Sequence, residues 1–437
     1  MSFSLADASV VDIPIHQINR YENNPKLHDQ LQLRMLEASV RRSKHLNPLL
    51  LTTALTIIAG HARYEVALRL GLAVVPAIIL PHLSEADSIA LRISDNAISE
   101  KGRWSLELLS QEIELLSSIE LDFNPIEIGF ETPEIDRLFF GQSGAPSDES
   151  PVPEPARTEP SVSRQGDIIS IGPHVVGCGD ARDRDFVRVL LAKRLAGAVI
   201  TDMPWNLPAS FISNKGQKQF SDFVMGSGEM TDIEFRAFTD DVLALQSEFA
   251  RPGALIYQFI DWRSVEGMIS SGRRQIGDLV NICVWVKQNG RMGSPYRSRH
   301  ELVCVFRKNG GKARDNVRLG AFGRNRTNIW EYQAPSGIGS ERDKLAMHPT
   351  CKNVQMIADA ILDSTDQGDV ILDPFLGSGT TLLAAQKTGR VGVGIELDPH
   401  YVDLAVRRCQ ELVGQPARMA DGATFDEIAL DRIEGKS

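Results

Sequence analysis

The sequence predicts an α/β protein in which a large, mostly parallel sheet is joined to a smaller α+β module. Three observations lead to this prediction. Residues 369–410 read strand, glycine turn, helix and strand, which is the order of a βαβ unit. Residues 141–163 are rich in Pro, Ser, Gly and Glu, and a segment with so little apolar surface is typical of a mobile linker. The 437-residue length also exceeds what one ordinary core accommodates.

Composition excludes several classes of protein. An apolar share of 42% with 24% charged residues is typical of soluble globular proteins. No apolar run is long enough to span a bilayer, and the first residues lack a secretory pattern, so we expect a cytoplasmic protein without a membrane partner. The five cysteines are scattered without a CxxC pair, which indicates neither a disulfide framework nor a zinc site. The net charge of −10 disfavours nucleic acid for the chain as a whole but leaves a local basic face open.

The first module alternates short strands and helices. A strand and a Pro/Asn-rich turn open it, a helix follows, and a second strand begins after Pro48. A third strand ends at Gly60, and a strand from Val74 to Leu80 follows the helix that Gly71 stops. Residues 84–139 read as helices. The helix before Gly71 is predicted to bury one face, formed by Tyr64, Ala67, Leu68 and Leu70.

The βαβ unit of the second module predicts a nucleoside-containing ligand. Glycines in its turn let a ligand approach the backbone, and the first turn of the following helix offers free N–H groups. Glu396 ends the second strand about 20 residues after Gly377, where an acid can accept hydrogen bonds from ribose hydroxyls. Because the turn reads GSG and not GxGxxG, a dinucleotide is less favoured.

"DPFLGSGTT" followed by "GIELDPHYVDLA" closely resembles the S-adenosylmethionine loop of the DNA amino-methyltransferases. "MHPTCKN", residues 347–353, resembles the His-Pro-Thr-x-Lys-Pro element that precedes this loop, with Asn353 in place of the last proline. The resemblance implies S-adenosylmethionine as cofactor. It also implies a set of cofactor-binding residues, namely Asp373, Pro374, Phe375, Gly377, Ser378, Gly379, Thr380, Glu396, His348, Thr350 and Lys352.

"VVGCGDARD" supplies one more cofactor candidate. Asp180 is similar to the aspartate of a Gly-Asp turn found before the catalytic motif in this family, where it would reach the adenine of the cofactor. An exposed turn aspartate is the alternative interpretation.

"TDMPW" resembles the catalytic motif of the same family. Members in which this motif precedes the cofactor loop carry Asp-Pro-Pro followed by an aromatic residue, and here the residues are Asp202, Met203, Pro204 and Trp205. The exocyclic amine of a base is a poor nucleophile, so the carboxylate of Asp202 and the carbonyl of Met203 would accept its N–H groups while Trp205 stacks on the flipped base. Met203 stands where the family usually has a proline, so the motif lacks the rigidity of a proline ring at this position. The alternatives are a helix cap for Asp202 and a core aromatic for Trp205.

The segment between the last strand of the central region and "HPT" is basic. In the permuted members of the family this segment recognises the target, so the resemblance implies double-stranded DNA as partner. A solvated loop remains the alternative. The candidate DNA-binding residues are Lys308, Lys312, Arg314, Arg318, Arg324 and Arg326.

The first module resembles the ParB/sulfiredoxin-like domain through "AGHARYEVALRLGLAVVPAIIL". In that family a Gly-x-x-Arg turn meets a phosphate or nucleotide, and Gly60 and Arg63 stand in that turn here. A turn glycine with a surface cation is the equally weighted alternative. The predicted domains are a ParB-like domain (1–100), a helical extension (101–140), a linker (141–163) and a methyltransferase domain (164–437).

Together these features predict a Rossmann-like methyltransferase sheet with a smaller α+β ParB-like N-terminal domain. The expected reaction moves a methyl group from S-adenosylmethionine to the exocyclic amine of a DNA base, as in restriction-modification, with adenine N6 favoured over cytosine N4. No metal is implied, and homodimerisation is left open. Two other functions are considered: a DNA-binding or nucleotide-switch protein with an inactive methyltransferase module, and a methyltransferase acting on RNA, protein or a small molecule.

Overall fold

The computed structural model describes most of the chain, and every structural statement below concerns the described residues. These are residues 9–22, 24–99, 101–102, 104–119, 124–140, 160–206, 228–287, 296–318, 326–332 and 352–434. The chain forms two compact units, Met1–Phe139 and Phe140–Ser437.

The first unit contains a four-stranded sheet with strand order β1-β4-β2-β3. The strand β1 is antiparallel to β4, which is parallel to β2, and β2 is antiparallel to β3. The strands are β1 (Val10–Pro14), β2 (Leu49–Leu51), β3 (Ile57–Ala59) and β4 (Val74–Ile79). The helices are α1 (Gln30–Ser43), α2 (His61–Arg69), α3 (Glu85–Ser99), α4 (Leu106–Ile119) and α5 (Thr132–Phe140), with 3-10 turns at Ile15–Gln17 and Pro125–Ile128.

The sequence explains the ends of these helices. Asp29 caps α1 by accepting a hydrogen bond from the backbone N–H of Gln32 at 2.7 Å. Gly60 precedes α2 with φ of +106°, a conformation that favours glycine. The predicted buried face of α2 is correct for Tyr64 and Ala67, but Leu68 is 44% exposed, because it lies to the side of the contact between α2 and the sheet.

The second unit is an α/β sandwich around a ten-stranded sheet. Its strands are β5 (Ile168–Ile171), β6 (His174–Cys178), β7 (Ala196–Thr201), β8 (Ala250–Ile260), β9 (Gly277–Val286), β10 (His300–Lys308), β11 (Ile329–Glu331), β12 (Val370–Asp373), β13 (Val391–Glu396) and β14 (Arg418–Met419). Its helices are α6 (Arg184–Leu191), α7 (Asp232–Phe249), α8 (Val265–Gln275), α9 (Val354–Ser364), α10 (Thr380–Lys387), α11 (Pro399–Val413) and α12 (Phe425–Ala429), followed by a π-helical turn at Leu430–Glu434.

The strand order of this sheet is β11-β9-β10-β8-β7-β12-β13-β6-β5-β14. The strands β8, β7, β12, β13 and β6 are mutually parallel, whereas β10 runs antiparallel between β8 and β9. Separate apolar clusters cover the sheet, and the parallel strands are almost fully buried. The predicted α/β class with a mostly parallel sheet is therefore confirmed.

The end of the predicted linker is packed against the second unit. Val162 is buried at 2% exposure, and the carboxylate of Asp403 accepts the backbone N–H groups of Val162 and Ser163 at 2.7 and 2.9 Å. The prediction of a mobile linker over 141–163 is therefore wrong for Val162 and Ser163, because the apolar side chain of Val162 packs into the core of the second unit. Residues 141–159 lie outside the described residues.

Candidate active site at the carboxyl edge of the sheet

Two turns leave the sheet side by side where β7 and β12 end. These strands are parallel neighbours, with Ile371 paired to Ala198 and Leu372 paired to Val199. The chain continues from β7 into Asp202 and from β12 into Pro374. In open α/β sheets the carboxyl ends of such strands form the crevice in which ligands bind. The structure therefore brings the predicted catalytic motif and the predicted cofactor loop to one site.

The turn after β12, residues 373–379, is called the cofactor turn below. Asp373 is buried, and its carboxylate accepts hydrogen bonds from the hydroxyl of Thr381 at 2.6 Å and from the backbone N–H of Phe375 at 3.1 Å. Burial raises the pKa of Asp373 to about 6 despite these hydrogen bonds. Pro374 is buried, and Phe375 packs edge-on against Phe238. These contacts give Asp373 and Phe375 a role in shaping the turn.

Glu396 closes the cofactor turn. Its Oε2 accepts the backbone N–H of Gly377 at 2.8 Å, and its Oε1 accepts that of Asp398 at 2.8 Å. Burial raises the pKa of Glu396 to about 7, although these backbone hydrogen bonds oppose the rise. A carboxylate offers about four acceptor positions, so Glu396 can still bind a hydroxyl group of a ligand.

The start of α10 is tightly packed. Gly379 has φ of +88°, and a Cβ at this position would lie 2.9 Å from the Cβ of Ala405, so only glycine fits. Ser378 and Thr380 are buried, and the carbonyl of Ser378 accepts a hydrogen bond from Arg408 at 2.6 Å. The backbone N–H of Leu382 already donates to the carbonyl of Gly379 at 3.1 Å. The first-turn N–H groups that a helix leaves for a ligand are therefore those of Thr380 and Thr381.

Asp180 lies just beyond the end of β6, beside the end of β13. The backbone N–H of its neighbour Gly179 donates to the carbonyl of Glu396 at 2.9 Å. Burial disfavours the charged carboxylate of Asp180, but hydrogen bonds from Arg182, including one of 2.7 Å, outweigh it and lower the pKa. Asp180 therefore lies at the same edge as the cofactor turn with its carboxylate bound to Arg182.

The turn after β7, residues 202–206, is called the catalytic turn. Met203 is buried at 1% exposure in the same core cluster as residues of β7 and β12. The partly buried Trp205 donates its indole N–H to the carbonyl of Phe259 at 3.3 Å, and Pro204, which is also partly buried, joins Met203 to Trp205 in the chain. Asn206 donates to the carbonyl of Met230 at 2.7 Å. The catalytic turn is thus anchored on both sides.

Asp202 belongs to a group of four charged side chains that we call the charge cluster: Asp202, Lys352, Glu301 and Lys287. The ammonium of Lys352 donates to Oδ2 of Asp202 at 2.5 Å and to Oε2 of Glu301 at 3.1 Å. Lys287 pairs with Oε1 of Glu301. The other oxygen of Asp202, Oδ1, is inaccessible to solvent and has no hydrogen-bond partner among the described residues.

The charge cluster shows contacts of Lys352 that the sequence interpretation did not include, and its place beside the cofactor stays a prediction. We expected Lys352 to border the cofactor, whereas its contacts go to the catalytic turn, because α9 begins at Val354 beside the end of β7. Glu301 and Lys287 escaped the sequence analysis. The available signal was the acid in "HELVCVF", a charge at the start of an otherwise apolar strand. His348 and Thr350 lie outside the described residues.

Three of the predicted DNA-binding cations, Lys308, Lys312 and Arg314, lie away from this edge. Since β10 runs antiparallel to β8, it returns the chain to the amino edge of the parallel strands, where Lys308 donates to the carbonyl of Ala250 at 2.7 Å. Lys312 and Arg314 line a cavity there with Gly197, near the start of β7. The sequence did not reveal this reversal, and contact of these residues with DNA stays a prediction.

Arg314 and Arg326 are also engaged within the protein. The guanidinium of Arg314 donates to Asp366 at 3.0 Å. Arg326 is partly buried and donates to Asp363 at 2.9 Å; burial disfavours its charge, but nearby acids raise its pKa. The backbone N–H of Arg318 donates to Asp315 at 2.9 Å. Arg326 therefore stabilises the fold and does not present a free cation, and Arg324 lies outside the described residues.

In the first unit, the predicted anion-binding turn has a different arrangement. Gly60 adopts the expected turn, but the Arg63 guanidinium donates to the carbonyl of Pro48 at 2.5 Å, and burial lowers the pKa of Arg63. Burial, reinforced by nearby Arg92, lowers the pKa of His61 to about 4.

Within the described residues of the whole chain, no cluster of three metal-ligating side chains occurs, and no helix is both long and apolar enough to span a membrane.

Family comparisons identify the parts of the chain. A model of the DNA methylase family matches residues 197–407, which include both turns and the charge cluster. Residues 197–407 form a DNA methylase domain within the second unit. The ParB N-terminal domain matches residues 2–97, and the ParB-methyltransferase HTH domain matches residues 107–165. The prediction of a DNA amino-methyltransferase domain fused to a ParB-like domain is confirmed, and the HTH match overlaps the predicted helical extension at residues 107–140.

Curated relatives match parts of this chain. The Type II methyltransferase M.HpaI of Haemophilus parainfluenzae is 25% identical over 48% of this chain and 67% of its own length. The Type II methyltransferase M.Cfr9I of Citrobacter freundii is 35% identical over 35% of this chain, which spans about half (49%) of that relative. A solved structure, the PvuII DNA methyltransferase (cytosine-N4-specific), matches with a TM-score of 0.42 and 14% identity, over 64% of this chain and 96% of the other.

Proposed function

We propose that this chain transfers a methyl group from S-adenosylmethionine to the exocyclic amine of a base in double-stranded DNA, with adenine N6 preferred to cytosine N4. The observation on which the proposal rests most is Oδ1 of Asp202. It is a buried carboxylate oxygen without a partner among the described residues, beside a turn suited to a nucleoside cofactor. A buried acceptor of this kind is costly unless a ligand satisfies it.

The chemistry follows from the two turns. The cofactor turn would hold S-adenosylmethionine, with Glu396 accepting ribose hydroxyls and the first-turn N–H groups of α10 lining the site. Oδ1 of Asp202 and the carbonyl of Met203 would accept the two N–H groups of the target amine, which increases electron density on its nitrogen during attack on the methyl group. As the nitrogen–carbon bond forms, the carbon–sulfur bond would break with its electron pair on sulfur, S-adenosylhomocysteine would leave, and the amine would lose one proton to solvent. The preference for adenine comes from the Asp-x-Pro-aromatic motif, which lacks a serine.

The DNA would approach the carboxyl edge of the sheet. Exposed cations and aromatic residues lie in the connections that follow β8 and precede β10 at that edge, and the backbone N–H of Lys287 donates to the carbonyl of Arg299 at 2.8 Å. Cations can neutralise phosphates, and exposed aromatic rings can contact an unstacked base. The candidate DNA-contacting residues are Trp262, Arg263, Tyr296, Arg297 and Arg299.

The alternative, a binding module that has lost turnover, rests on Met203. The burial of its side chain supports an active site, because packing in the core constrains the catalytic turn as a proline ring would constrain it.

The test is incorporation of labelled methyl groups from S-adenosylmethionine into unmethylated DNA by the full chain, with RNA and protein as alternative acceptors. Mass spectrometry of the nucleosides then separates N6-methyladenine from N4-methylcytosine. Labelled adenine in DNA is expected. Binding of DNA without methyl transfer would favour the inactive module, and label in RNA or protein alone would contradict the proposed substrate.

A further inference from the structure

The charge cluster has a feature that a simple ion pair does not require. Lys352 is shared between two carboxylates, on Asp202 and Glu301, and Glu301 is itself shared between two lysines. The side chains of Lys352 and Glu301 are only 9% and 7% exposed. Burying four charges is expensive even when they neutralise each other, and apolar residues of similar volume would often be at least as stable. Stability alone therefore does not account for this arrangement.

The surroundings fix the position of the Lys352 ammonium. It lies 5.0 Å from the ring centre of Phe259, 5.6 Å from that of Trp205 and 5.7 Å from that of Trp285. A cation within about 6 Å of aromatic faces is attracted to them. Aromatic rings surround the ammonium on several sides, and Glu301 holds it from another, so it has little freedom to leave Oδ2 of Asp202.

The two oxygens of Asp202 consequently differ. Oδ2 is held by Lys352 at 2.5 Å, whereas Oδ1 is buried without a partner among the described residues. A carboxylate with one oxygen held cannot rotate freely, so the direction of its second oxygen is set. Positioning of this kind matters because displacing a reacting group by 1 Å can cost a rate factor of about 10².

We infer that Lys352 is a positioning residue for Asp202, holding Oδ2 so that Oδ1 faces the target amine, and that Glu301 sets the position and the charge balance of Lys352. This inference deepens the proposed function and rests on it. It assigns Lys352 to the catalytic turn and not to cofactor binding.

The electrostatics agree with this assignment. Burial raises the pKa of Asp202; Lys352 opposes that rise, Glu301 adds to it, and Lys287 opposes it. The carboxyl of Asp373, on β12, is a further acid close enough to interact with Asp202. Removal of the Lys352 charge should thus favour protonation of Asp202, and removal of the Glu301 charge should disfavour it.

The experiment compares Lys352→Met with Glu301→Gln in single-turnover methyl transfer across pH. Asp202 must be charged to accept the amine N–H groups, so activity falls on the acid side as Asp202 is protonated. The acid limb should move to higher pH in Lys352→Met and to lower pH in Glu301→Gln. Lys352→Met should also lower the maximal rate by about 10²-fold, while Lys352→Arg should restore the position of the limb. Exposed-site controls, Lys387→Met and Glu331→Gln, should leave the profile unchanged.

The inference would be overturned if the acid limbs of the two variants' pH–rate profiles coincided with that of the wild type, or if both moved in the same direction. A large loss of S-adenosylmethionine affinity in Lys352→Met, measured by calorimetry, would also overturn it in favour of a cofactor contact.

A second measurement does not depend on turnover. Carbon NMR of protein labelled at the aspartate carboxyl, with Asp202→Asn for assignment, should show a lower pKa of Asp202 in Glu301→Gln than in the wild type, and an unchanged titration would contradict the inference. Absence of methyl transfer in the wild type would instead reject the proposed function.

Discussion

The two turns at the carboxyl edge of the methylase sheet are stabilised in different ways. The cofactor turn is closed by its own βαβ unit, with Thr381 on Asp373 and Glu396 on Gly377. The catalytic turn depends on distant parts of the chain, since the residue that holds Asp202 is Lys352, 150 positions away. The proposed cofactor turn can therefore form from one supersecondary unit, whereas the proposed catalytic geometry requires the assembled sheet.

The largest difference between the turns should appear in Asp202→Asn. This change removes the charged acceptor from the catalytic turn and leaves the contacts of the cofactor turn in place. We expect the single-turnover rate to fall by about 10²–10⁴-fold with unchanged S-adenosylmethionine affinity by calorimetry. The exposed Asp185→Asn serves as control. Retention of full methyl transfer would mean that the chemistry lies elsewhere.

Met203→Ala tests how firmly the catalytic turn is anchored. The side chain is 1% exposed, so its removal leaves a cavity and should lower the free energy of unfolding by about 2–5 kcal/mol in urea titrations. Met203→Pro removes the same packing and should also destabilise, so restoring the family's usual proline should not improve the protein. Val189→Ala, at a 62% exposed position, is the control. A stability equal to the wild type would show that the turn does not depend on core packing.

Glu396→Gln tests the cofactor turn alone. It keeps one oxygen acceptor but removes the charge, so at pH 8 S-adenosylmethionine affinity should fall by about 1.5–3 kcal/mol. Because burial raises the pKa of Glu396 to about 7, the carboxylate is charged above that pH and is protonated below it. Affinity of the wild type should thus weaken as pH falls through 7, and that of Glu396→Gln should not. Parallel pH profiles would remove Glu396 from the ribose site.

The smallest effects are expected on DNA binding, from substitutions of single cations at the two edges of the sheet. Arg299→Gln, at the carboxyl edge, should weaken binding to duplex DNA and reduce the slope of log affinity against log salt by about 1. Lys312→Gln, at the amino edge, is the matched control and should leave the slope unchanged. The reverse result would return DNA contact to the basic segment after β10.

The local sequence pattern was enough to predict the cofactor turn and the βαβ unit that contains it. The βαβ order, the glycines and the interval from Gly377 to Glu396 are contained in about 40 consecutive residues, so their arrangement follows from short-range geometry. The predicted catalytic motif also comes from the sequence, because an acid followed by a proline and an aromatic residue at a strand end is a contiguous pattern. The structure puts both at one edge because β7 and β12 are neighbours.

Only the tertiary structure decided which charges meet. Sequence reasoning grouped Lys308 and Lys312 with the DNA because they are close in the chain to the expected recognition segment, but an antiparallel strand carries them to the far edge of the sheet. It likewise gave Lys352 to the cofactor and overlooked Glu301, because their contact joins segments that are adjacent only after the sheet has assembled. Electrostatic interactions depend on distance in space, and neither the direction of β10 nor the order of the strands is encoded in any short stretch of sequence.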